Sequence, residues 1–99
     1  TRTDSDYLKW AGKIGSQMER LIDKILHKTP YVEKSYATCE RILRKGDSIS
    51  NAIMNETARR CINKNLLNLR GFQSELNDVK ISYESMNHEN IRGEEYYND

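Results

Sequence analysis

Apolar residues recur along most of the chain at spacings of three and four, and nowhere do they alternate. Ala11, Ile14, Met18, Leu21 and Ile25 make one such stripe, widened by Ile22 and flanked by Trp10. That is the pattern of an amphipathic helix from about Asp6 to His27. Gly12 and Gly15 weaken its first half, so a kink or break is expected near Gly15–Ser16. Thr29-Pro30 marks the next boundary, since Pro suits the first turn of a helix and Thr29 suits its N-cap. The second helix presents Val32, Tyr36, Cys39 and Leu43, and Gly46 stops it after Arg44 and Lys45 in the last turn. Ser48 or Ser50 caps a third helix, whose face is Met54, Ala58, Cys61 and Ile62 and which runs to about Asn65. Leu69, Phe72 and Leu76 predict a short fourth helix of two turns. The expected fold class is therefore all-α: a small bundle of about four helices whose stripes pack on one another.

Charge divides the chain more sharply than hydropathy does. Residues 7–76 hold 13 Lys+Arg against 7 Asp+Glu, whereas residues 77–99 hold 2 against 6. A basic body thus carries an acidic tail, although the whole 99-residue chain nets only +1. The tail has Val79, Ile81, Met86, Ile91 and three tyrosines, too little for a core of its own. We place the boundary near Leu76–Val79, giving a helical domain over residues 1–76 and a flexible acidic tail over residues 77–99. No apolar run is long enough for a signal peptide or a membrane span, so no membrane partner is expected. Two cysteines in so small a chain suggest a reducing compartment rather than a disulfide scaffold. A chain that begins at Thr1, without Met, fits a piece of something larger.

Catalysis requires a constellation, and none stands out. Cys39 and Cys61 are not a CxxC pair, and each lies on an apolar stripe, as buried thiols do. His27 and His88 lack ligand-spaced neighbours, which argues against zinc. Gly12 and Gly15 precede no Lys-Ser or Lys-Thr and follow no strand, so they make no phosphate loop. The expectation is a non-enzymatic chain with no cofactor. Arg41, Arg44, Arg59, Arg60, Lys64 and Arg70 could line a basic surface that neutralises DNA phosphates. Base reading is disfavoured, because Ile49, Ile53 and Met54 occupy the start of the helix after Gly46, where polar base-contacting groups would sit.

Body and tail together resemble the C-terminal domain of IstA-type insertion-sequence transposases, a group related to the phage Mu enzyme. The similarity runs through Trp10-Ala11-x-x-Ile14-Gly15, then Pro30 and Tyr36-x-x-Cys39-x-x-Ile42-Leu43. It continues without gaps from Met54 to Leu76, including Arg59, Arg60 and Arg70. Its most specific part is the ending His88-Glu89-Asn90-Ile91-Arg92-Gly93-x-x-Tyr96-Tyr97. Ala37 and Arg41 stand where the family usually has Arg and Gly, Ala58 and Cys61 exchange its Cys and Ala, and Lys45 and Lys64 replace leucines.

The resemblance implies one non-catalytic domain of a bacterial, cytoplasmic transposase whose metal-binding catalytic domain lies elsewhere. Its implied partners are an AAA+ ATPase of the IstB kind and other transposase subunits, with DNA as a further candidate. The residues suggest how the tail would bind the ATPase. Tyr96 and Tyr97 offer large contact area at low rotamer cost, and Arg92 can fork onto carboxylates or carbonyls. Gly93 permits a turn that presents them together, with Asn90 and Ile91 alongside. The competing reading has Tyr96 and Tyr97 folding back onto the body or ending a disordered tail.

Overall fold

A computed structural model describes the backbone of residues 2–92 and the side chains of residues 2–86. Five α-helices follow one another: α1 (Asp4–Ile14), α2 (Ser16–Leu26), α3 (Val32–Arg44), α4 (Asn51–Lys64) and α5 (Leu69–Arg92). A single 3-10 turn, Lys45–Asp47, joins α3 to α4, and there is no strand among the described residues. The fold is all-α, with one helix more than the sequence pattern suggested.

The extra helix comes from the break at Gly15. A Cβ there would collide with the side chain of Asn55 on α4. Asn55 uses that space: its Oδ1 accepts hydrogen bonds from the backbone N–H groups of Gln17 (2.8 Å) and Met18 (3.1 Å). Two of the orphan donors at the start of α2 are therefore satisfied by a residue of another helix. Elsewhere the caps are local. Thr3 N–H donates to the Asp6 carboxylate at 2.9 Å, Ser50 Oγ accepts from Ile53 N–H at 3.3 Å, and Asn68 Oδ1 accepts from Gly71 N–H at 2.7 Å. Asn65 ends α4 in the left-handed region, at φ 58°.

α2 is the central element, packed by α1, α3 and α4, while α5 lies against α4 and α3. Met18, Leu21, Ile22, Ile25 and Leu26 of α2 are buried among Cys39, Ile42, Leu43, Met54, Ala58, Cys61, Phe72 and Leu76. The two cysteines are free, and burial pushes their thiols up to about 12 for Cys39 and about 11 for Cys61.

Three expectations change. α3 starts at Val32, and Thr29 caps the preceding turn instead, its Oγ1 accepting from Tyr31 N–H at 3.3 Å. The core face of α3 is rotated, so that Ser35 and Ile42 are buried and Val32 is exposed; Ser35 Oγ donates to the Ile25 carbonyl. The fourth predicted helix does not stop at Leu76 but continues as α5 to Arg92, straight through the proposed boundary, where Val79 is fully buried. Phe72, Leu76, Val79 and Tyr83 recur at four, three and four, which keeps one stripe facing the body for longer than the polar composition implies. At about 1.5 Å per residue α5 is roughly 36 Å long, and the molecule measures 55 × 23 × 17 Å. No helix among the described residues is long and apolar enough to cross a membrane.

Candidate functional site

The six basic positions fall on three helices. Arg41 and Arg44 lie on α3, Arg59, Arg60 and Lys64 on α4, and Arg70 in the first turn of α5. α3 and α4 each pack on α2 and share no substantial interface with one another, so the structure does not gather the six into one continuous stripe.

Carboxylates already hold most of them. Glu40 accepts from Arg44 Nε at 2.9 Å and also from Arg2 Nη1 at 3.0 Å and Tyr7 Oη at 3.0 Å. Burial alone would push the Glu40 carboxyl up, but these donors and the arginine charges hold it below the usual carboxylate range. Glu56 accepts from Arg59 at 2.8 and 2.7 Å and from Arg60 at 3.0 Å. The Arg59 hydrogen bonds, against some desolvation and with help from Arg60, bring its carboxyl down to about 2. Lys64 Nζ donates to Glu75 Oε2 at 2.8 Å, and Glu75 is buried with its Oε1 lacking a partner among the described residues. Arg41 and Arg70 are exposed and make no ion pair among the described residues.

Arg44 has a second relationship that the sequence did not announce. Its guanidinium lies 5.9 Å from the Trp10 ring centroid, and that of Arg2 lies over the same ring at 4.8 Å. Trp10 stacks near Tyr7 (centroids 6.4 Å apart, planes 16° apart), and Tyr7 meets Tyr36 at 5.1 Å. Tyr36 Oη in turn donates to Asp4 at 2.6 Å. Beside Trp10 opens a shallow cleft of about 490 Å³ lined by Arg2, Asp6, Lys9, Trp10 and Lys13. Asp6, Lys9, Trp10 and Lys13 share one face of α1 by helical spacing, so the sequence carries that much of it; folding adds Arg2 from the N-terminal arm and brings Arg44 of α3 beside the ring.

Of the tail residues, Asn90, Ile91 and Arg92 fall in the last turn of α5 and are therefore helical. Their side chains, and all of Gly93, Tyr96 and Tyr97, lie outside the described residues. So does His88, beyond its helical backbone, while His27 Nδ1 pairs with Asp23 Oδ1 at 3.4 Å. No group of three or more His, Cys, Asp or Glu is placed to hold a metal ion among the described residues.

Comparison with known proteins gives one informative relative. The chain is 27% identical over 95 residues to the "Putative transposase y4uI" of Sinorhizobium fredii (strain NBRC 101917 / NGR234). The alignment covers 88% of this chain but 18% of that protein. No family model and no solved structure matches. The similarity is to a transposase, and to a small part of one.

Proposed function

We propose that the chain is a non-catalytic domain of a DNA transposase of the IstA insertion-sequence kind. In this reading its C-terminal segment recruits an IstB-like AAA+ ATPase and its helical body scaffolds the transposase subunits. The observation that carries it is the match of nearly this whole chain to 18% of a transposase. A small helical body joined to a much longer enzyme suits an accessory role better than a reaction centre.

The form of α5 supports the tail's part in this. A continuous helix leads from the body to Asn90, Ile91 and Arg92, and a helix is a stiffer spacer than a polar linker. A stiff arm narrows the volume its end explores, which raises effective concentration when its length suits the partner and removes binding when it does not. DNA-backbone contact through Arg41, Arg44, Arg59, Arg60, Lys64 and Arg70 is the weaker proposal. Four of those six already sit against Glu40, Glu56 or Glu75, and a phosphate would have to compete with each carboxylate.

The test is a pull-down, at moderate salt, of the ATPase encoded beside the transposase. The full chain is compared with a variant carrying Arg92→Ala, Tyr96→Ala and Tyr97→Ala, which keeps the length of α5. Capture by the full chain and loss of at least tenfold in the variant is the expected result. Equal capture by both would overturn the tail's role and move the interface to the body.

A further inference from the structure

We infer that the cleft beside Trp10 is a docking surface for the phosphate backbone of duplex DNA, with Lys9 and Lys13 as its principal contacts. This goes beyond ATPase recruitment and stands whether or not the tail binds a partner. It also differs from the basic positions considered above, of which Arg44 alone has been placed beside the Trp10 ring.

Charge carries the inference. Around Trp10 lie four cations, Arg2, Lys9, Lys13 and Arg44, against two carboxylates, Asp6 and Glu40. On α4, by contrast, Glu56 serves both Arg59 and Arg60, and Lys64 is matched by Glu75. Lys9 and Lys13 are exposed and belong to no ion pair among the described residues. Asp6 makes no close ion pair with either one, its carboxylate being engaged by the Thr3 N–H at 2.9 Å and Thr3 Oγ1 at 3.2 Å, although the Lys9 charge nearby helps to lower its pKa. The two lysines are four residues apart, so both project from one side of α1 about one turn, or roughly 5.4 Å, apart along the axis. That spacing presents two ammonium groups side by side to a run of phosphates.

The remaining members fix the surface. Arg2 is held by Glu40 on one side and by the indole on the other, which pins the N-terminal arm against α1 and α3. Because Arg2 covers the ring, Trp10 acts as the floor of the cleft rather than as a stacking platform for an unpaired base. Duplex backbone is therefore favoured over single-stranded DNA.

Trp10 is the chain's single tryptophan, so its emission reports on this cleft alone. The experiment titrates the 99-residue chain with a fluorescein-labelled duplex of arbitrary sequence from low to moderate salt. Anisotropy follows binding and Trp10 emission follows the cleft. Expected are saturable binding at low salt, a change in Trp10 emission on the same curve, and at least tenfold weaker binding for Lys9→Ala/Lys13→Ala. The slope of log K against log salt should flatten by about two, since each phosphate contact contributes about 0.9. Lys9→Gln/Lys13→Gln, checked by circular dichroism, guards against loss of folding and should behave as the alanine pair does. Lys24→Ala, at an exposed lysine of α2 outside the cleft, should stay within about twofold of the parent. No binding at low salt, binding that leaves Trp10 emission unchanged, or binding indifferent to both lysine pairs would each overturn the inference.

Discussion

At the residue scale, the most consequential pairing is Gly15 with Asn55. The glycine leaves room for the amide, and the amide caps α2. Gly15→Ala should displace Asn55 and destabilise the domain by about 1–2 kcal/mol, the usual worth of an N-cap. Asn55→Ala should do the same, and the double variant should fall well short of the sum, because both remove one arrangement. Denaturant melts of the four proteins would show it, and full additivity would mean that the two residues act separately. Glu56 gives a second prediction at this scale. Its folded pKa is depressed from 4.5 to about 2, so its contribution is complete above about pH 4.5 and fades as the pH falls through about 2. Linkage sets a ceiling of about 3 kcal/mol. With the Arg59 side chain 48% exposed, screening brings the figure nearer about 1 kcal/mol. The stability gap between the parent and Glu56→Gln should be steady near neutrality and shrink below pH 4.5. A gap independent of pH would show that the pair contributes packing rather than charge.

At the element scale, what could be read from the sequence was whatever is local. The break at Gly15, the Ser50 cap and the faces of α2 and α4 follow from spacing and turn chemistry, and the structure has them. The Glu40–Arg44 and Glu56–Arg60 pairs are likewise local, four apart on one helix, although on sequence alone those arginines are assigned to DNA phosphates instead. The Asn55 cap, the Lys64–Glu75 pair and the Arg2–Trp10–Arg44 cluster are not, because each joins residues that only tertiary packing brings together. The length of α5 was missed for a different reason. Residues 77–86 are mostly polar, and the single stripe of Val79 and Tyr83 is a weak periodic signal. Glu84→Pro, placed beyond Val79, should end the helix before residue 84, since Pro removes a backbone donor and clashes with the preceding turn. Helical circular dichroism should fall while the thermal midpoint of the body moves little. A large drop in the midpoint would make the distal part of α5 integral to the core.

At the scale of the whole molecule, α2 is a hub enclosed by helices from both sides of the sequence. α1 and α3 flank it locally, and α4 reaches it from beyond the 3-10 turn. The N-terminal arm is tied to the same body through Arg2 and Glu40, 38 residues apart. The surfaces proposed for function then lie on separate elements: a cationic cleft on α1 and a partner-binding end carried by α5. The Asn55 cap has a further meaning for how such a body is made. The first turn of α2 is completed by a residue 38 positions downstream of Gln17. The start of α2 is thus completed only when α4 packs against it, which makes this helix end depend on tertiary contact rather than on its own neighbouring sequence.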